Sequence, residues 1–180
     1  NISIPLIQDT LVEGDETFAV TLTVTGGGAI LGPVSNAIVT IQDDDALVRF
    51  RRVSTNVTEL VNTVVVDLDR VGSTNGAVTV QLQADPSSTA TAGSDYTAFG
   101  ITTITFPPGV TATNFTVTIR DDFTPEGFIP EVLTLAITNA LPALSSNAFG
   151  ATVTNTGPLL ENYFFDINIT DNDPTSGTIT

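Results

Sequence analysis

Residues 119–131 read IRDDFTPEGFIPE, and residues 7–16 read IQDTLVEGDE. The two stretches are versions of one another. Laid side by side, Asn1 falls on Asn114, Ile4 on Val117, Asp9 on Asp122, Glu13 on Glu126, Gly14 on Gly127 and Glu16 on Glu131, once Phe128 and Ile129 are looped out. Carried further, the alignment places residues 41–45 (IQDDD) on 169–173 (ITDND), so each copy closes with a strand running into carboxylates. The period is 173 minus 45, or 128 residues. Residues 1–45 therefore close one copy, 46–173 form a complete copy, and 174–180 open another. A repeat of this kind shifts the question from what one domain does to what an array does.

A copy of 128 residues is near the common domain size and long enough to bury a core. Hydrophobic residues make up 41% of the chain, yet no run approaches the roughly 18 apolar residues of a membrane span, and no direct membrane insertion is expected. The chain opens on Asn1, contains no Met and shows no basic-then-apolar leader, so a start signal is expected outside it. Twenty acids stand against five arginines, with no Lys or His, for a net charge of -15. That balance argues against nucleic acid, whose phosphates need a basic surface, and against an anionic membrane. Most of the acids sit in the short turns that the repeat alignment picks out, a clustering that suggests cations. With no Cys there is neither a disulfide nor thiolate metal chemistry.

Apolar residues alternate with Thr, Ser and other polar residues along most of the chain, the two-residue period of half-buried strands. In the first copy, residues 1–8, 17–25 and 37–42 read as strands. In the complete copy, 46–52, 63–70, 77–84, 101–106, 114–120, 131–138 and 163–170 do the same. Gly and Pro clusters at 72–76, 85–88 and 107–109 punctuate them. Short strands with such breaks predict an all-β, antiparallel, immunoglobulin-like β-sandwich in tandem repeat, with Val64, Val66 and Leu68 facing in. Asp67, Asp69 and Asp166 alternate with those apolar residues and are expected to face solvent. Residues 139–162 form a connection far longer than its counterpart at 26–36, either a packed surface loop or a contact between neighbours. Asp45 runs straight into the strand at Ala46 without a Gly, Ser or Pro spacer, so adjacent copies are expected to abut.

Asp121 and Asp122 end one strand, Glu126 follows, Glu131 begins the next, and Asp171 and Asp173 end the last. In a sandwich those strand ends can lie at the same pole. Crowded carboxylates repel one another unless a cation intervenes. Calcium suits them, since it accepts about six to eight oxygen ligands in flexible geometry, whereas zinc and copper favour the absent His and Cys; magnesium is the alternative, an ion that tends to retain water and needs fewer carboxylates. A lone Asp43-Asp44-Asp45 run would read as a solvated turn; the same acids recurring with Gly14 and Gly127 in two copies do not.

These residues resemble the Calx-β domain family, known from sodium/calcium exchangers and from long extracellular repeat proteins. The resemblance rests on Glu59 in an early turn, Arg70-Val71-Gly72, Gly93-Ser94-Asp95-Tyr96 before a strand, the acidic run of 121–131 and a closing Asp-x-Asp. It implies calcium ligands at Glu59, Asp95, Asp121, Asp122, Glu126, Glu131, Asp171 and Asp173. The corresponding acids of the first copy are Asp9, Glu13, Glu16, Asp43, Asp44 and Asp45. Two positions depart from the pattern: Gln8 replaces the first acid of the pair in the first copy, and Asn172 replaces the middle Asp in the second.

No catalytic role is expected. The usual nucleophile-base pairs lack His, Cys and Lys, and a sugar groove has no Trp and only two Tyr to line it. The leading expectation is a calcium-binding structural repeat of an extracellular or cell-surface protein, an adhesin, matrix protein or secreted filament, with calcium stiffening the domain junctions. The alternatives are a calcium-sensing regulatory domain of a transporter or signalling protein and a filament subunit completed by strand addition from an identical subunit. The expected partners are neighbouring repeats of the same chain or identical subunits.

Overall fold

The computed structural model describes residues 2–9, 11–121, 124–125, 129–141 and 163–173. Ten strands follow one another: β1 (Glu16–Thr21), β2 (Asn36–Ile41), β3 (Ala46–Phe50), β4 (Ser54–Thr58), β5 (Thr63–Gly72), β6 (Val78–Ala84), β7 (Thr102–Phe106), β8 (Ala112–Thr118), β9 (Glu131–Leu141) and β10 (Phe164–Thr170). Among the described residues there is no helix.

The complete copy is a two-layer sandwich. One layer is the three-stranded sheet β3-β5-β8; the other is the five-stranded sheet β4-β10-β9-β6-β7. Alternation along β5 turns Val64, Val66 and Leu68 inward, all buried, while Val65 between them is exposed. They meet Val80, Leu82, Leu133, Leu135 and Ile167 of the opposite layer in one hydrophobic core, and the rings of Phe50 and Phe165 pack 5.7 Å apart between centroids. Each fully buried large side chain of this kind stabilises the fold by about 1.5–3 kcal/mol. Asp67 and Asp69 face outward as expected and form ion pairs with Arg51, whose Nη2 lies 2.7 Å from Asp69 Oδ1. Asp166 accepts a hydrogen bond from Thr134 Oγ1 at 2.8 Å.

Two strand expectations are corrected. Residues 46–52 do not form one strand: the chain leaves the three-stranded layer after Phe50 and joins the other as β4, where no strand is predicted. Arg51 N still donates to Asp67 O of β5 at 3.0 Å, whereas Val53 O already accepts from Asp166 N of β10 at 2.9 Å. Having crossed between layers, β4 lies parallel to β10; every other strand pair is antiparallel. The second correction concerns residues 2–8, which pair with no strand among the described residues. Their aligned counterpart, β8, takes its ladder from β5, and residues 1–45 contain no counterpart of β5.

The other two strands of the first copy reproduce their counterparts in register. Glu16 pairs with Ile41, Phe18 with Val39 and Val20 with Ala37; in the complete copy Glu131 pairs with Ile169, Leu133 with Ile167 and Leu135 with Phe165. The two hairpins differ in what covers them. Leu133, Leu135 and Ile167 are 0% exposed beneath the opposite layer, whereas Phe18, Val20 and Val39 are only half-buried. Residues 142–162, the greater part of the long connection, and 174–180 lie outside the described residues, as do Asp122 and Glu126.

Candidate metal centre

Four strand ends converge at one pole of the complete copy. Glu59 follows β4, and its amide donates to Thr170 O at the end of β10 at 3.3 Å, which holds the β4–β5 turn beside the closing turn. Asp121 follows β8. The turn of residues 91–96 is fastened to the same strand end, with Arg120 N donating to Asp95 O at 2.9 Å and Tyr96 bridging to Ile119. Gly93 has φ +99°, a conformation that glycine adopts without steric cost.

The carboxylates of Glu59, Asp121 and Asp173 each offer an oxygen, and these oxygens lie within 4.8 Å of one another. Asp121 is exposed and Asp173 partly so, but Glu59 is only 2% exposed. Asp95 is equally buried. One of its oxygens, Oδ2, accepts from Thr91 N, and the other, Oδ1, is buried with no hydrogen-bond partner. Glu131 opens β9 opposite Ile169, and Asp171 Oδ1 accepts from Asp173 N at 2.7 Å, shaping the turn that presents Asp173. Glu131 and Asp171 are thus at this pole but outside the close triplet, as is Asp95.

The donor set fits a hard cation. Leaving a carboxylate oxygen buried without a partner costs several kcal/mol of solvation, as does crowding like charges beside a buried carboxylate, and a divalent ion offsets both. All the donors are oxygen, which matches calcium rather than zinc. One further oxygen escapes a search for acids: Asn172 Oδ1 is buried without a hydrogen-bond partner at the position aligned with Asp44. Its signal in the sequence is its place in the closing Asp-x-Asp turn, since neutral amide oxygens also bind calcium.

In the first copy, no three carboxylates come together as closely among the described residues. Asp43 instead organises the loop: Oδ2 accepts from Glu13 N and Gly14 N, each at 2.8 Å, and Oδ1 accepts from Asp45 N at 2.9 Å. These bonds, the Gly14 amide foremost, hold the Asp43 carboxyl below its ordinary pKa. Asp15, a residue with no expected role, accepts from Asp43 N at 3.1 Å, and Asp44 accepts from Gln8 Nε2 at 2.7 Å. The remaining acids repel. The charge of Asp9 pushes the Glu13 carboxyl up, with burial, Glu16, Asp43 and Asp45 adding to it. Burial, then the charge of Asp44, raises Asp45.

A β-sandwich with carboxylates gathered at one pole defines a class of cation-site domain, and comparison with known proteins makes the class specific. The family model described as the Calx-beta domain matches residues 1–45 and 42–142. The chain belongs to the Calx-beta domain family. Human FRAS1-related extracellular matrix protein 2 is 35% identical over an alignment of 125 residues that covers 66% of this chain and 4% of that protein. The chain thus spans a small fraction of that relative. Among solved structures, the apo form of the Calx CBD1 domain superposes with a TM-score of 0.54 at 21% identity, covering 71% of this chain and 98% of that one. The calcium binding domain CBD12 of CALX1.1 gives 0.53 at 21% identity, covering 71% and 46%. At this identity the structural likeness establishes the fold.

Proposed function

We propose that this chain is a calcium-binding structural segment of a tandem-repeat protein outside the cell, in which the ion locks the acidic pole of the complete copy. The carrying observation is the triplet Glu59, Asp121 and Asp173, with Glu59 buried. These three would hold the ion, with Asp95, Glu131, Asp171 and Asn172 at the same pole. The ion supplies positive charge that removes the repulsion between strand ends; the residues supply binding and orientation, and no reaction is required of them.

The extracellular placement is supported by the likeness to a matrix protein, and the structural role by the way the copies abut. Asp45 leads directly into β3, and its carbonyl accepts from Ser73 N at 2.7 Å. The alternative is a calcium-sensing domain of a transporter or signalling protein, and the calcium binding domain CBD12 of CALX1.1 shares this fold. Calorimetric titration of the chain with calcium tests the site: heat of binding that Asp173→Asn weakens is the expected result, and titration indistinguishable from buffer would overturn it. Calcium affinity near millimolar fits a structural role outside the cell, whereas micromolar affinity fits a sensor.

A second reading rests on the half-covered hairpin β1–β2. Among the described residues, the inward side chains Phe18, Val20 and Val39 lack the opposite layer that buries their counterparts. Opening strands equivalent to β3 and β5, from the same chain or an identical subunit, fit that face, since residues 2–8 are the first copy's own counterpart of β8. Concentration-dependent assembly measured by sedimentation supports an identical subunit as the source; a monomer at every concentration supports the same chain.

A further inference from the structure

Gly72 closes β5 at the opposite end of that strand from Glu59, and its φ is +88°. A side chain there would be strained by its backbone alone. It would also collide: a Cβ on Gly72 would lie 2.5 Å from the Asp45 carbonyl oxygen and 2.7 Å from Val12 Cγ1. The other glycines with positive φ, Gly14, Gly26, Gly27, Gly28, Gly93 and Gly109, have nothing within 4 Å of the same position. Gly72 is thus set apart by what touches it: the Asp45 carbonyl, which continues the β3–β5 ladder, and Val12, which belongs to the copy before.

We propose that the turn of residues 72–75 is a docking seat for the acidic loop of the preceding copy, with Val12 as the knob and Gly72 as the floor that receives it. Val12 sits between Asp9 and Glu13 and is half-buried, whereas its neighbour Leu11 is 60% exposed. The Ser73 amide fastens the seat to Asp45 O at 2.7 Å. Around the contact lies an open cleft of about 470 Å³, with Val12, Asp15 and Asp43 on one wall and Ser73, Thr74 and Asn75 on the other. The partner is another copy of the same repeat, presented pole to opposite pole. A small apolar knob suits this geometry, and the residue aligned with Val12 in the complete copy is Pro125, which is exposed.

The seat needs no cation, so its test is run in chelator and its outcome is independent of the calcium site. The chain has no cysteine, which makes a single introduced thiol a clean probe. Val12→Cys is expected to react with a maleimide about tenfold more slowly than Leu11→Cys, because a docked side chain reacts only on local opening. Adding Gly72→Ala is expected to erase the difference, while Gly109→Ala, which has φ +79° but no neighbour, leaves it intact. Equal rates for Val12→Cys and Leu11→Cys in the otherwise unaltered chain would overturn the proposal, as would equal effects of the two glycine substitutions.

Discussion

Asp43 Oδ2 accepts the backbone amide of Gly14 at 2.8 Å, across 29 residues of chain. That bond joins the end of β2 to the loop that precedes β1, and a hydrogen bond to an ionised acceptor is among the stronger kinds. Because these bonds lower the Asp43 pKa relative to the unfolded chain, their stabilisation is complete above the ordinary carboxylate range and is lost as pH falls through the lowered value. Hydrogen exchange at Gly14 and Glu13, corrected for intrinsic rates, is expected to show protection persisting down to about pH 4 and fading below it. Asp43→Ala should remove that protection at every pH. Protection unaffected by the substitution would mean that other bonds hold the loop.

Glu59 is buried beside Asp121 and Asp173. In chelator its negative charge works against the fold, so Glu59→Gln should leave the protein as stable as before or raise its stability by about 1 kcal/mol, a modest share of the cost of a buried charge. In calcium the same substitution should lower stability, because a ligand is lost. Chemical unfolding in both media checks the reversal of sign. Equal destabilisation in both would assign Glu59 a structural role unrelated to an ion.

The two aligned hairpins offer an internal comparison. Leu133→Ala opens a cavity beneath a complete sandwich and should cost about 2–5 kcal/mol. Phe18→Ala removes a larger side chain at the matching position, yet Phe18 is half-buried, and the cost should be smaller. Urea unfolding of both variants settles the order. A greater loss for Phe18→Ala would show that something covers the first hairpin in solution.

Most of the sandwich was legible because strands with one buried face carry a two-residue alternation, as in Val64, Val66 and Leu68. Pairing was harder to read than alternation. Residues 2–8 alternate as well as β8 does, but a strand exists only where a neighbour supplies its ladder. β4 escaped because Thr55 and Val57 are half-buried among Ser, Asn and Thr, a weak pattern at the point where the chain changes layers. At the candidate metal centre, the repeated acids and the family resemblance pointed to Glu59, Asp121 and Asp173, whose convergence depends on three separate strand ends. The sequence held no sign that Asp43 serves backbone amides or that Asp171 shapes a turn, because each job depends on which amides the fold brings near.

The proposed calcium site is tested most directly by the thermal unfolding midpoint of the chain in chelator, in calcium and in magnesium. A ligand bound only by the folded state adds about 2.7 kcal/mol at a hundred times its dissociation constant. A large rise in calcium, with little or none in magnesium, is the predicted result. A midpoint that is the same in all three media would contradict the account.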